Sequence, residues 1–286
     1  MKLITSFDEM RDAVKEHRRA GDSIGLVPTM GFFHAGHVSL MESADHENDM
    51  VVVSIFVNPT QFGPGEDFED YPRNLDRDME MAEQAGADYI FHPAVEDMYP
   101  RPYLTYISVE DITEGLCGAK RRGHFTGVAT VVAKLFNIIP ADRAYFGLKD
   151  AQQVRVIEKM VEDLNFNIEI AKCPTIRESD GLALSSRNMY LNGEERSAAA
   201  ILYRSLQAAG EMISRGERDA SAIIAGINKL LDSEELIEPE YVEVVDYRLL
   251  HPLEELRGEV LIALAARVGK ARLIDNLLIN LAQSPD

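Results

Sequence analysis

The chain has 286 residues, of which 46% are hydrophobic and 27% are charged, which is the range of folded globular proteins and excludes disordered and fibrous ones. At about 150 residues per domain, this length predicts two domains. Lys and Arg number 29 against 48 Asp and Glu, and the net charge of -19 argues against nucleic acid or an anionic membrane surface as a partner. A small anionic ligand is compatible with this charge, because a local cluster of cations can outweigh the total.

The cysteines and the apolar segments bear on the cellular compartment. Cys117 and Cys173 are too few for a disulfide framework, and no CxxC pair indicates a zinc or redox site. The first residues do not form an apolar signal segment, and the longest apolar runs, 51–57 and 260–266, are too short to span a bilayer. We therefore expect a cytoplasmic protein without a membrane partner.

Helical and strand-like segments alternate over residues 1–175. Ser6, with Glu9 three residues later, predicts a capping box at the start of a helix that ends at Gly21. Residues 50–57 are β-branched and apolar on both faces, as expected for a central parallel strand. The other predicted elements are strands at 23–27, 88–91, 143–146 and 167–171, and helices from about 36 and at 75–85, 125–139 and 151–164. This alternation predicts a Rossmann-like, doubly wound parallel sheet.

The pattern changes after Cys173. Predicted helices at 194–215 and 220–231 precede predicted strands at 241–246, 259–266 and 271–278. Helices and strands that are segregated in this way favour an α+β fold. We therefore predict a Rossmann-like domain at 1–175 and a smaller α+β domain at 176–286.

Two histidines, His34 and His37, lie at the predicted start of the helix that follows the strand at 23–27. Their spacing directs both rings the same way. The helix N-terminus offers backbone N–H groups and a positive dipole end, and Gly36 permits close approach, so the segment is suited to a polyphosphate. An ordinary pair of surface or core histidines is the alternative, which the position after a strand and the flanking glycines disfavour. A zinc site lacks a third ligand at a recognisable spacing.

The chain contains neither the Walker pattern GxxxxGK[ST] nor a GxGxxG after a strand. The HxGH segment instead resembles the class I nucleotidyltransferase and aminoacyl-tRNA synthetase superfamily, in which these histidines contact ATP phosphates. Ser185, Ser186 and Arg187 resemble the mobile basic loop of that superfamily, although Ser-Ser-Arg in isolation is more typical of an N-cap. Lys149, after the strand at 143–146, can place a compact charge on phosphate, although a lone lysine there is usually solvated.

Residues 56–62, Phe-Val-Asn-Pro-Thr-Gln-Phe, form the most specific segment, because they leave a central strand at its carboxyl end, where open α/β sheets bind ligands. With this segment the motifs resemble those of the pantothenate synthetase family over essentially the whole chain. The shared motifs are PTMGxxHxGH at 28–37, FVNPTQF at 56–62, YPR at 71–73, GHF at 123–125, FGxKD at 146–150 with Gln153, DGLALSSRN at 180–188 and ARLIDN at 271–276.

The resemblance implies that (R)-pantoate and β-alanine are condensed with ATP through a pantoyl adenylate, with release of AMP and diphosphate. It implies that the domain at 1–175 binds ATP and pantoate and that the domain at 176–286 is a lid. It implies His37 as the proton donor, and His34, Lys149, Arg187 and the two serines as further donors to phosphate. Gln61 is implied to contact pantoate and β-alanine, and Gln153 to contact pantoate. The implied ATP-binding residues are Met30, Gly31, Phe32, Phe33, His34, Ala35, Gly36, His37, Gly147, Leu148, Lys149, Asp150, Ile176, Leu184, Ser185, Ser186 and Arg187.

The resemblance also implies a homodimer, and Mg²⁺ that is bound mainly through the ATP phosphates rather than by a protein metal site. Leu148 departs from the family pattern, in which FGxKD usually has a polar residue at that position. We expect little effect, because Lys149 and Asp150 are kept. Residues 63–78, rich in Gly, Pro, Asp and Glu, are either a mobile flap over the pocket or a solvated acidic loop.

Two other functions stay open on the sequence. A nucleotidyltransferase that releases only diphosphate and leaves the nucleotide on its product shares the HxGH motif and the basic loop, but does not need residues 56–62. A catalytically silent nucleotide-binding module lacks at least one of His37, Lys149 and Arg187, and all three are present here.

Overall fold

The computed structural model describes residues 1–281. The chain forms two compact units: the first comprises residues 1–110, 121–148 and 156–174, and the second comprises 111–120, 149–155 and the residues from 175 onward. The main division, between residues 174 and 175, is adjacent to the predicted boundary at 175/176. Two short earlier segments also belong to the second unit.

The helices and strands follow one another along the whole described chain. In order they are β1 (Lys2–Ile4), α1 (Phe7–Ala20), β2 (Ile24–Thr29), α2 (Ala35–Glu47), β3 (Met50–Ile55), α3 (Leu75–Gln84), β4 (Tyr89–Phe91), α4 (Val95–Met98), α5 (Leu116–Lys120), α6 (His124–Ile138), β5 (Arg143–Gly147), α7 (Ala151–Leu164), β6 (Glu169–Cys173), α8 (Gly193–Ala199), α9 (Ile201–Ser214), α10 (Ala220–Leu231), β7 (Ile237–Asp246), β8 (Gly258–Val268) and β9 (Ala271–Leu281). Short 3-10 helices are present at Pro59–Gln61, Leu148–Asp150 and Ser186–Tyr190.

The strands of the first unit form one parallel sheet in the order β1-β4-β3-β2-β5-β6, which confirms the predicted doubly wound fold. Strand β3 is buried at every position, and Val51, Val53 and Ile55 pack in one core with Leu40 and Met41 of α2. From β2 the chain adds β3 on one side and β5 on the other, so the strand order reverses there. Ligands of open α/β sheets bind beside such a reversal, at the carboxyl ends of the strands.

The second unit has an antiparallel sheet in the order β7-β8-β9. Its core joins apolar side chains of α9 and α10 to the sheet, among them Leu206, Ile227 and Ile262. The predicted α+β character of this part is therefore confirmed. Within residues 1–281, none of the helices combines the length and the apolar character needed to cross a bilayer.

Several element predictions were wrong in detail. The single helix predicted at 194–215 is two helices that meet at Ala200, where neither glycine nor proline marks the break. Strand β1 was not predicted, because three residues are too few for a periodic pattern; its Ile4 is nevertheless fully buried. Ser6 caps α1 as predicted, but no reciprocal bond completes the capping box, and the Glu9 carboxylate pairs with Lys2.

Candidate active site

The loop from β2 to α2 ends in a reciprocal pair of hydrogen bonds. His34 is the N-cap of α2, and its Nδ1 accepts the N–H of Gly36 at 3.1 Å. The Nδ1 of His37 accepts the N–H of His34 at 3.3 Å, and the two ring centroids are 4.1 Å apart. Because each Nδ1 accepts a hydrogen bond, the proton of each neutral ring is on Nε2. The helix start therefore has two imidazole Nε2–H donors in addition to its own N–H groups.

A buried carboxylate holds the same loop from the other side. Asp78, in the first turns of α3, is 1% exposed and accepts the N–H groups of Phe32 at 2.6 Å and Phe33 at 2.7 Å. Burial raises the pKa of Asp78 above its ordinary value, and the hydrogen bonds from Phe33 and Phe32 offset only part of that rise. Gly31 has φ +84°, and a Cβ at that position would lie 2.9 Å from Asp78 Oδ2, so the turn requires glycine.

Asp78 is a residue that the sequence interpretation missed. It is one of several acids in α3, and its neighbour Asp76 is exposed. The only indication was a charged residue at a position where the helix turns its face inward. Its partners are more than forty residues earlier in the chain, which no local pattern reveals.

Gln61 is held in place by a buried amide. Asn58, which is 1% exposed, donates from Nδ2 to Gln61 Oε1 at 3.0 Å and to the carbonyl of Gly127 at 3.1 Å. Its Oδ1 accepts from the Tyr99 hydroxyl at 2.8 Å. Gln61 Nε2 in turn donates to Met30 Sδ at 3.1 Å, so the 3-10 helix after β3 contacts the loop after β2. The motif at 56–62 contained Asn58, but the sequence interpretation assigned it no function.

Arg121 and His124 fix the backbone around Gln61. His124 Nδ1 lies 2.9 Å from the Gln61 carbonyl oxygen, and Arg121 Nη1 lies 3.0 Å from His124 Nε2. Since the guanidinium can only donate, the neutral His124 ring has its proton on Nδ1 and donates it to Gln61. This pair gives a structural account of the GHF motif at 123–125.

Arg121 also forms a two-pronged ion pair with Glu66, in the acidic stretch 63–78. Its Nε and Nη2 donate to the two carboxylate oxygens at 2.7 and 2.6 Å. Burial by itself raises the pKa of Glu66, but the hydrogen bonds and the charge of Arg121 outweigh it and lower that pKa to about 2. The stretch is therefore attached near its start to the segment that holds Gln61.

In the second unit, Lys149 lies on the 3-10 helix that precedes α7. Its side chain is 21% exposed, and Nζ lies 3.9 Å from the Asp150 carboxylate. The Lys149 carbonyl accepts a hydrogen bond from Asn276 Nδ2 at 2.9 Å. Gln153 is half-buried in the first turn of α7.

The segment 176–184 forms a narrow hairpin in the same unit. The Leu184 N–H donates to the Ile176 carbonyl at 3.0 Å, and Arg177 and Ala183 form an antiparallel bridge. Ser185 caps the 3-10 helix at Ser186–Tyr190, because its Oγ accepts the N–H of Arg187 at 3.3 Å. Ser185 is thus an N-cap, as is typical of Ser-Ser-Arg in isolation. The cap places Arg187 in the first turn of the 3-10 helix.

Each unit therefore collects part of the predicted site. The first unit brings residues 30–37 together with Gln61, and Gly147 ends β5, the neighbour of β2. The second unit brings Ile176 next to the segment 184–187 and also contains Lys149, Asp150 and Gln153. In chemical terms, the group in the first unit combines a helix N-terminus with imidazole and amide donors, and the group in the second unit contains the cations Lys149 and Arg187.

Comparison with known proteins identifies one family over nearly the whole chain. The family model for pantoate-beta-alanine ligase matches residues 2–278. The pantothenate synthetase of Fervidobacterium nodosum is 54% identical over 280 residues, which are 98% of this chain and 100% of that protein. The pantothenate synthetase of Thermoanaerobacter sp. strain X514 is 55% identical over 278 residues, which are 97% of this chain and 98% of that protein.

Solved structures of the same family match the fold of this chain. The crystal structure of pantothenate synthetase from Thermus thermophilus has a TM-score of 0.92 at 44% identity, and the match covers 97% of this chain and 99% of that one. The pantoate-beta-alanine ligase of Francisella tularensis, complexed with beta-gamma ATP and beta-alanine, has a TM-score of 0.79 at 34% identity, with 97% of each chain covered. Since both the sequence and the fold match over nearly the full length, this chain belongs to the pantoate-beta-alanine ligase family.

Proposed function

We propose that this enzyme condenses (R)-pantoate with β-alanine at the expense of ATP, through a pantoyl adenylate, and releases AMP and diphosphate. Its family membership supports the ligation, and the Francisella relative, complexed with beta-gamma ATP and beta-alanine, supports those two ligands. The observation on this chain that supports adenylation most directly is the reciprocal histidine pair at the start of α2. It combines a helix N-terminus with two Nε2–H donors, which suits a polyphosphate.

Two steps follow from this chemistry. A carboxylate oxygen of pantoate attacks the α-phosphorus, the bond from that phosphorus to the bridging oxygen breaks, and diphosphate leaves. The amine of β-alanine then attacks the acyl carbon, AMP leaves, and the amine loses a proton. Negative charge develops on the phosphate oxygens in the first step, where fixed donors are most effective. We assign that function to His34, His37, Lys149 and Arg187 with Ser185 and Ser186, and we assign His37 as the proton donor.

We assign the two glutamines to pantoate. The buried Asn58 amide fixes the orientation of the Gln61 side chain, and a neutral amide can both donate to and accept from hydroxyl and carboxylate groups. Gln61 is also the proposed contact for β-alanine, and Gln153 is the second contact for pantoate. The remaining proposed nucleotide contacts are main-chain groups at 30–37, 147–150, 176 and 184–187.

Mg²⁺ is the proposed metal, bound mainly through ATP. Within residues 1–281, no group of three or more His, Cys, Asp or Glu side chains is placed to hold a metal ion. Oxygens of the triphosphate would supply most of the ligands of Mg²⁺, which is the usual mode for this ion. When bound, Mg²⁺ neutralises charge on the phosphates.

We further propose a cytoplasmic homodimer that forms through the first unit. Both cysteines are buried and neither is in a disulfide, which fits a reducing compartment. In the first unit Leu104 is 84% exposed and Tyr106, two residues later, is 54% exposed, and neighbouring exposed apolar side chains are typical of protein contact surfaces. Sedimentation analysis of Leu104→Asp tests whether this surface is the subunit contact.

Isotope exchange tests the reaction itself. Without β-alanine, the enzyme should transfer labelled diphosphate into ATP only when pantoate is present, because the adenylate and diphosphate can recombine while bound. Exchange that requires β-alanine would indicate a concerted reaction, and exchange from labelled ADP would indicate an acyl phosphate. Exchange without pantoate, or a product that keeps the nucleotide, would overturn the proposal.

A further inference from the structure

The motif at 271–276 has no function in the reaction as proposed above. It lies on β9, and its last two residues contact the basic segments of the second unit. Asn276 Nδ2 donates to the carbonyl of Lys149 at 2.9 Å, across 127 positions of sequence. This bond acts on the Lys149 backbone, so it sets where the side chain begins.

Asp275 contacts the other basic segment. Its carboxylate is 3% exposed and accepts two hydrogen bonds from the Arg177 guanidinium, at 2.6 and 2.9 Å. The guanidinium also donates to the Gly181 carbonyl at 3.1 Å and lies 4.0 Å from the centre of the Tyr203 ring. Arg177 and Gly181 belong to the hairpin that leads into the segment 184–187. Asp275 therefore fixes the base of the loop that ends in Arg187.

Asp275 and Asn276 lie on a paired strand, whereas Lys149 and Arg187 lie on short 3-10 helices. Strand β9 pairs with β8 along its whole length, with Asp275 opposite Leu264 and Asn276 opposite Ala263. Lys149 and Arg187 both lie on 3-10 helices of at most five residues. Such short 3-10 segments have poorer hydrogen-bond geometry than an α-helix, so a side-chain hydrogen bond from a neighbouring strand adds to what holds them in place. Strand β9 therefore helps to position the backbone segments that carry Lys149 and Arg187.

We propose that Asn276 and Asp275 are positioning residues for adenylate formation. Asn276 holds the Lys149 backbone, and Asp275 acts through Arg177 on the loop of Arg187. Neither side chain is assigned a contact with substrate. The inference rests on the proposed function, in which Lys149 and Arg187 stabilise charge on the triphosphate.

A double-mutant cycle tests the Asn276 link. Pantoate-dependent exchange of diphosphate, measured at enzyme concentrations high enough to follow slow variants, is compared in the wild type, Asn276→Ala, Lys149→Ala and the double variant. A displaced lysine should lower the exchange kcat of Asn276→Ala about tenfold, with the KM for pantoate unchanged. In the Lys149→Ala background the same substitution should have no further effect, because its target is absent. Equal losses in both backgrounds, or no loss in the first, would overturn the inference.

The controls separate this inference from folding and from the proposed function. Asn280→Ala removes an exposed amide from the same strand and should leave exchange unchanged. Asn276→Leu keeps the approximate size of the side chain and loses the donor without adding a charge. It replaces Asn276→Ala in the cycle if the alanine variant is poorly folded, and it should lower the exchange kcat by a similar factor. A wild-type enzyme without pantoate-dependent exchange would instead refute the proposed function.

The Asp275 link is tested in the same way against Arg187. Asp275→Asn keeps the volume but weakens the paired contact with Arg177, and it should lower the exchange kcat by several-fold. That loss should disappear in the Arg187→Ala background. A loss that is the same in both backgrounds would show that Asp275 stabilises the unit without positioning the loop, and would overturn this part of the inference.

Discussion

The N-terminus of α2 is capped by unusual residues. Serine, threonine, aspartate or asparagine usually occupies the N-cap, with glutamate or glutamine three residues later, and such pairs satisfy the same backbone N–H groups. Here His34 and His37 take both positions. The usual capping residues would therefore satisfy the N–H groups of α2 without any histidine. What the imidazoles add is an Nε2–H donor on each ring, which a serine and glutamate pair lacks.

His37→Ala should lower adenylate formation by about a hundredfold or more, the scale that follows loss of one charge-stabilising donor. Lys149→Ala should have an effect of similar size for the same reason. Diphosphate exchange measures both. His37→Gln is the matched control, because its side-chain oxygen keeps an acceptor for the His34 N–H without adding a charge. Its Tm should be close to that of the wild type, and its exchange above that of His37→Ala measures how far a neutral amide donor replaces the imidazole. Near-normal turnover by a folded His37→Ala variant would remove this residue from the mechanism.

Gln61→Ala should weaken pantoate binding and leave ATP affinity almost unchanged. Gln61 follows β3, whereas the histidine pair follows β2, so truncation of the amide leaves the helix N-terminus intact. Calorimetric titration with each ligand separates the two affinities. Gln84→Ala, which removes an exposed amide from α3, should change neither. Loss of ATP affinity with pantoate binding preserved would mean that Gln61 was assigned to the wrong substrate.

At the scale of elements, the first turns of α3 fix the loop that precedes α2. Asp78→Asn leaves one carbonyl oxygen for two buried N–H groups, so one of Phe32 and Phe33 loses its acceptor. We expect the free energy of unfolding to fall by about 1–3 kcal/mol, the usual cost of an unsatisfied buried polar group. Urea denaturation measures it. The exposed Asp76→Asn in the same helix should change stability by less than about 0.5 kcal/mol, and an equal loss there would contradict this explanation.

The Glu66–Arg121 pair should make the attachment of the stretch 63–78 dependent on pH. The pKa of Glu66 is lowered from 4.5 to about 2, so the folded state holds this proton less tightly than the unfolded state does. The stabilisation is fully present above pH 4.5 and is lost as the pH falls towards 2. The difference in unfolding free energy between the wild type and Glu66→Gln should therefore be smaller at about pH 3 than at about pH 6. The exposed Glu69→Gln serves as the control, and a difference that does not change with pH would contradict the ion pair.

At the scale of the whole molecule, an acidic chain is proposed to bind anionic substrates. The net charge of -19 repels ATP and pantoate at long range, so binding has to depend on local groups. The groups that we propose for this binding are the N-terminus of α2 in the first unit and Lys149 and Arg187 in the second. The imidazoles and backbone N–H groups add donors without a full charge, which limits how many cations the site needs.

The sequence by itself determined the layout of the elements. Hydrophobic periodicity and local capping residues identified most helices and the central strands, because both signals are contained within one segment of chain. Residues with short-range partners were predicted well: Ser6 caps α1, and Gly21 ends it with φ +92°. The shared motifs also identified the family, since their order and residue types are read directly from the chain.

Only the tertiary structure decided which side chains hold the site residues in place. Asp78 binds backbone groups 45 and 46 positions away, and Asn276 binds the Lys149 carbonyl across 127 positions. The brief strand β1 likewise exists only because β4 lies beside it. These pairings depend on how the sheet order and the loops bring distant segments together, and no periodicity or cap in the local sequence records that. For the same reason, the motif at 56–62 gave no indication of the partners of Asn58, and Arg121, which lies outside the motifs, was not identified.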